Sequence, residues 1–109
     1  MNPEPNFAKY PDRLVPVIIQ DSNTLQVLTL AYTNEEAFVI TKHTGGVCLW
    51  SRSRNELWIK GATSGHTQKV VSMTLDCDSD ALLYLVQPAG PACHVPGQNS
   101  CFFNEVKVG

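Results

Sequence analysis

Residues 68–87 read QKVVSMTLDCDSDALLYLVQ, and this stretch decides the fold. Two runs rich in aliphatic and β-branched side chains, 68–76 and 81–87, flank the acidic turn Asp78-Ser79-Asp80, a pattern that predicts a β-hairpin. Side chains alternate across an extended strand. If extension continues through 71–80, one face carries Val71, Met73, Leu75 and Cys77, and the other carries Asp76, Asp78 and Asp80. Three carboxylates so close in the chain repel one another unless a cation or a basic partner offsets their charge. A hard divalent cation is one reading, and a solvated acidic turn is the other. An EF-hand is excluded, because counting from Asp76 the sixth position is Ala81 rather than glycine and the twelfth is Gln87 rather than glutamate.

Working outward, residues 14–20 and 25–31 form a second pair of strand-like runs around the polar turn Asp21-Ser22-Asn23-Thr24. Thr33-Asn34-Glu35-Glu36 has capping-box spacing, Ala37, Phe38 and Ile40 supply an apolar side, and Gly45-Gly46 supplies a stop, which together predict one helix. Residues 47–51 and 57–60 read as strands around a polar turn at 52–55. Residues 61–65 read as a loop, as do residues 88–100 with their prolines and glycines, and 101–106 resumes a short strand. The expected class is therefore α+β, mainly β, in a small compact single domain covering residues 1–109.

Composition narrows the function. With 43% hydrophobic and 17% charged residues, the chain has enough apolar material for a core. The formal charge is −2 overall. Between residues 50 and 69, however, Arg52, Arg54, Lys60 and Lys69 face only Glu56, a local charge of +3. A local basic segment on an acidic chain suits an anionic small molecule and lacks the broad basic face that long nucleic acid requires. No apolar run approaches the roughly 18 residues of a membrane span, and residues 1–13 lack a signal pattern, so a cytoplasmic location is expected. Thiols stay reduced there, which makes Cys48, Cys77, Cys93 and Cys101 ligands, nucleophiles or core residues before disulfides.

Cys93-His94 and Cys101 flank a Pro/Gly loop, and with Cys77 they could converge on a soft cation, zinc being the candidate. Three thiolates would leave one coordination position open, as catalytic zinc requires, although separate core cysteines remain the alternative. Cys48, between Val47 and Leu49, reads as an inert buried thiol. Trp50-Ser51-Arg52-Ser53-Arg54 offers an aromatic face, hydroxyls and two guanidiniums for a purine and its phosphates, or else an exposed turn. Thr63-Ser64-Gly65-His66 could cradle phosphate through backbone N–H groups, and His66 and His94 are acid–base candidates.

The strings WSRSR (50–54), ELW (56–58), KG (60–61), TSG (63–65), QKV (68–70), DCDSDAL (76–82) and GPACH (90–94) occur in the order found in phosphoribosyl-AMP cyclohydrolases, and the chain resembles that family over nearly its whole length. The resemblance implies zinc on Cys77, Cys93 and Cys101, magnesium on Asp76, Asp78 and Asp80, and an entwined homodimer that shares its zinc sites. It further implies that Trp50, Ser51, Arg52, Ser53, Arg54, Lys60, Ser64 and Gly65 bind substrate while His94 and His66 move protons. The implied reaction adds zinc-activated water to C6 of N1-(phosphoribosyl)-AMP and breaks the N1–C6 bond, giving the phosphoribosylformimino-carboxamide ribotide of histidine biosynthesis. The loop from Cys93 to Cys101 is longer than is common in that family, and the length of the chain leads us to expect the monofunctional form. Two rivals are a nucleoside-type zinc deaminase, whose H-x-E and P-C-x-x-C signatures are missing, and a structural zinc module on nucleic acid.

Overall fold

The computed structural model describes residues 3–109. The first hairpin forms as expected from strands β1 (Val15–Asp21) and β2 (Val27–Thr33). Asp21 closes its turn by accepting the backbone N–H groups of Asn23 and Thr24 through Oδ1, at 2.8 and 3.2 Å. Helix α1 (Glu35–Thr44) follows. Its cap is Asn34, whose side chain accepts the Ala37 N–H at 2.8 Å, one residue later than the capping box predicts. Thr33 is unavailable for that role because it ends β2, where it is fully buried. The helix stops at Gly45, which adopts a left-handed φ of 77° and donates its N–H to Thr41, as the Gly-Gly pair suggests.

Strands β3 (Cys48–Ser51) and β4 (Glu56–Ile59) form a separate two-stranded sheet. The hairpin expected over residues 68–87 forms as β5 (Gln68–Leu75) and β6 (Leu82–Pro88). The larger sheet has the order β2-β1-β6-β5, with β1 and β6 parallel at its centre and the other neighbours antiparallel. Local hairpin signals carry no information about this central pairing, which joins strands more than sixty residues apart.

One face of this sheet, with Val15, Val17, Ile19, Leu82, Tyr84 and Val86, is buried beneath Phe38 of α1 and Val47 and Leu49 at β3. Alternation in β1 and β6 dictates that face, and removing its apolar area from water is the main force holding the two layers together. The Thr41 hydroxyl fastens the helix to β3, because it lies within hydrogen-bond distance of both the N–H and the C=O of Cys48. The opposite sheet face leaves Ile18 and its register partner Leu30 exposed by 42% and 49%.

Two sequence expectations fail. β5 ends at Leu75, so Cys77 does not continue its alternation. The cause is local: Asp76 Oδ1 accepts the N–H groups of Asp80 and Ala81, and Ser79 takes a φ of 61°, which bends the backbone into a turn. Residues 101–106 form no strand either. Among the described residues their N–H groups lack a ladder partner apart from Cys101, which donates to Leu28 at 2.8 Å, and Phe102 and Val106 stand exposed. Strand propensity needs a neighbouring edge to become structure. The described residues make a single small α+β domain, mainly β, with no helix long and apolar enough to cross a membrane.

Candidate active site

The loop after β4 is folded tightly by Gly61, at a φ of 82°, and Gly65, whose N–H donates to Gly61 at 2.8 Å. A Cβ at Gly61 would lie 2.3 Å from the Thr67 nitrogen, so only glycine admits this close approach. The loop after β6 runs beside it, joined by the Ala89 N–H donating to Thr67 at 2.8 Å. Lys60 adds a second tie by donating from Nζ to the Ala92 carbonyl at 2.9 Å. Two segments far apart in sequence thereby form the walls of one cavity of about 590 Å³.

That cavity brings together Cys93, Cys101, His66, His94, Ser64, Lys60 and Arg54, all of them read as site residues from sequence. Cys93 is half-buried, and its sulfur accepts the Val95 N–H at 3.4 Å, which orients it. His66, His94 and Cys101 are exposed at the cavity wall. Gly65 belongs to the same loop through its bond to Gly61, without itself lining the space. Trp58, which sequence reading did not single out as a ligand contact, also lines the cavity, with Lys60 Nζ 5.1 Å from its ring centroid.

The other predicted residues lie elsewhere. Trp50 and Arg52 border a second cavity of about 500 Å³, shared with Asn34, Glu35 and Asn55. The Arg52 guanidinium stacks 3.8 Å from the centroid of Tyr32, a partner supplied by β2 that no local motif reveals. Ser51 and Ser53 serve the turn, with their hydroxyls 3.3 Å apart and Ser51 Oγ accepting the Arg54 N–H. Cys77 is exposed in the acidic turn. It follows the Leu75 end of β5, whereas His66 precedes the Gln68 end. The seven steps between its eight residues, at about 3.3 Å each, put the length of that strand, about 23 Å, between the two ends.

Asp76, Asp78 and Asp80 do converge, with ligand atoms all within 4.8 Å, and no other trio of His, Cys, Asp or Glu among the described residues gathers as closely. The turn achieves what alternation was expected to do. Lys9 was missed by sequence reading, since it sits in the N-terminal segment, yet its ammonium pairs with both Asp78 and Asp80. The Lys9 hydrogen bond holds the Asp80 carboxyl well below the usual carboxylate range, and the hydrogen bond with Asp80 pushes Asp78 up. The donor set fits a hard cation, and a cationic nitrogen already pairs with two of its three carboxylates. The thiols and imidazoles of the main cavity are the donor types a softer metal takes.

A small α+β domain in which one of the cavities gathers thiols, imidazoles and basic side chains has the equipment of a hydrolytic enzyme for an anionic substrate. Residues 29–103 match the family model described as phosphoribosyl-AMP cyclohydrolase. A protein of Nitrosopumilus maritimus named phosphoribosyl-AMP cyclohydrolase is 56% identical over 94 residues, covering 86% of each chain. The similarly named protein of Lactiplantibacillus plantarum is 52% identical over 105 residues, covering 96% of this chain and 95% of its own. A histidine biosynthesis bifunctional protein of Halalkalibacterium halodurans is 56% identical over 93 residues, 85% of this chain but 44% of its own length. The chain belongs to the phosphoribosyl-AMP cyclohydrolase family.

Proposed function

We propose that the chain hydrolyses phosphoribosyl-AMP in histidine biosynthesis by opening the N1–C6 bond of the adenine ring. The observation that carries this reading is the single cavity joining Cys93, Cys101, His66 and His94 to the cations Arg54 and Lys60. Arg54, Lys60 and Ser64 bind phosphate oxygens, with Gly65 shaping the loop that carries Ser64, and Trp58 offers a face against which a purine can stack. Trp50 and Arg52 would meet the second phosphate from the separate cavity they border, with Ser51 and Ser53 in the turn that joins them to Arg54. Attack at C6 makes that carbon tetrahedral. Collapse then breaks the N1–C6 bond, with His66 and His94 moving the protons that the attacking water loses and N1 gains.

Cys93 and Cys101 would hold zinc together with the partner subunit's Cys77 in a homodimer. The place of Cys77 outside the cavity of its own chain supports that arrangement, as do the exposed Ile18 and Leu30 on the open sheet face and the exposed Phe102 and Phe103 next to Cys101. When bound, zinc would supply a water ionised near neutral pH as the nucleophile. Asp76, Asp78 and Asp80 would hold magnesium, whose preference for oxygen ligands matches the trio. Reduced thiols of this kind are compatible with the cytoplasm.

The test is ultraviolet-monitored turnover of phosphoribosyl-AMP by zinc-loaded and chelated protein. Turnover that is lost on chelation and restored by zinc is expected. Absence of turnover in the zinc-loaded protein overturns the proposal.

A further inference from the structure

Gly90 is half-buried at the start of the loop that follows β6. Glycine is usually retained for one of two reasons: a left-handed backbone, or a neighbour too close for a side chain. The first does not hold here, because the positive-φ glycines are Gly45, Gly61, Gly65 and Gly97. The second does. A Cβ built on Gly90 would lie 2.6 Å from Cδ2, 2.9 Å from Cγ and 3.1 Å from Nε2 of His66. Three ring atoms therefore rest directly on the Gly90 backbone, and they include the ring carbon nearest the His66 main chain, which has little freedom to yield.

This contact matters because little else orients the imidazole. His66 is exposed, and among the described residues its hydrogen bonding is through the backbone N–H, which donates to Ser64 Oγ at 3.2 Å. The backbone on either side is fixed by the Gly61–Gly65 turn and by the Ala89 to Thr67 bond. A ring anchored at its root and packed on Gly90 is confined at the wall of the cavity that His94 and Cys93 also line.

We propose that Gly90 is a positioning residue for His66, its missing side chain setting where the imidazole meets the substrate. The inference rests on the reading of His66 as a proton-moving group. Gly90→Ala displaces the ring by a distance comparable to the overlap it relieves, and displacements of that size at a proton-transfer group lower kcat about ten- to a hundredfold while leaving KM nearly unchanged.

The experiment is a double-mutant cycle of Gly90→Ala and His66→Ala, with kinetics, thermal melts and the His66 ring resonances measured in the same proteins. Gly46→Ala is the control, since its nearest neighbour is 3.8 Å away and its backbone φ is ordinary. Expected are a fall in kcat and a shifted His66 resonance in Gly90→Ala, a further loss below about twofold when Gly90→Ala is added to His66→Ala, and wild-type kinetics for the control. The melting temperature lost in Gly90→Ala should return in the double variant, because the obstructing ring is gone. That recovery keeps the test open if the single variant folds poorly. Wild-type kcat with an unmoved resonance in Gly90→Ala, alongside an impaired His66→Ala, overturns the role of Gly90 and leaves that of His66. Fully additive losses in kcat do the same. Wild-type kcat in His66→Ala overturns the reading of His66 and this inference with it.

Discussion

Lys9 Nζ lies 3.5 Å from Asp78 Oδ2 and also donates to Asp80, 71 residues along the chain. The backbone brings them together, for the Asn6 N–H donates to the Ser79 carbonyl at 2.7 Å in the same turn. Lys9 thus offsets part of the charge of the acidic trio.

Removal of that ammonium in Lys9→Ala should therefore change both stability and cation binding. Asp80 is held below the usual carboxylate range in the folded state, so its contribution is present above the ordinary carboxylate pKa of about 3.9 and is lost as pH falls below it. Lys9 is correspondingly raised, and its contribution disappears only as pH climbs above the ordinary lysine range. Denaturation of wild type and variant should differ near neutrality and converge in acid. Manganese or magnesium titration should show binding tightened about two- to fivefold in Lys9→Ala, the small factor expected for an exposed ion pair. Weaker binding would assign Lys9 to shaping the site.

A shared zinc site predicts complementation between broken subunits. Cys77→Ser and Cys93→Ser homodimers should each lose zinc and turnover. Co-refolding should yield mixed dimers with about one working site, because one interface then combines an intact Cys77 with the partner's intact Cys93 and Cys101. Isolated mixed dimers that bind no zinc would place the whole site within one chain.

Arg52 and Arg54 border different cavities, so their truncation should have different consequences. Arg54→Ala should raise KM about tenfold or more, the loss expected for a charge-assisted hydrogen bond to phosphate. Arg52→Ala should raise KM less and also lower stability by about 0.5–1 kcal/mol through the lost stack on Tyr32. Steady-state kinetics and urea denaturation of both variants measure the contrast, and a larger KM effect at Arg52 would move the main phosphate contact to the cavity beside Trp50.

Cys48 is 1% exposed, and burial pushes its thiol above the ordinary range. Less thiolate at any given pH and no access mean that zinc-free protein near pH 8 should be alkylated at the exposed Cys77 and Cys101 but at Cys48 only after denaturation. Peptide mapping reads the pattern. Cys48→Ser should keep wild-type zinc content.

The Tyr84 hydroxyl is buried beside the Thr33 and Thr41 side chains without a well-formed hydrogen bond among the described residues, and burial raises its pKa. Tyr84→Phe removes an unsatisfied polar atom and keeps the ring, so its cost should stay below about 1 kcal/mol or become a gain. Leu49→Ala, which hollows the same core, should cost about 2–5 kcal/mol. Equal losses in urea denaturation would mean that the hydroxyl has a partner in solution.

The sequence by itself determined the elements and the chemistry. Alternation set β1 and β6, Gly45 ended the helix, and the DCDSD and GPACH strings placed carboxylates and thiols close enough in the chain to be read as a site. These features are local, since a turn or a strand depends on neighbours a few residues away. Tertiary structure alone decided the central parallel pairing of β1 with β6, the Lys9 ammonium among the aspartates, the Tyr32 ring under Arg52 and the Gly90 backbone under His66. Whereas the Asp76 turn ended β5 locally, it was also tertiary structure that left 101–106 without a strand, against the expectation from residue type. Each of these depends on which distant segment packs alongside. That choice is made by burial of the whole sheet face at once, so no window of sequence contains it.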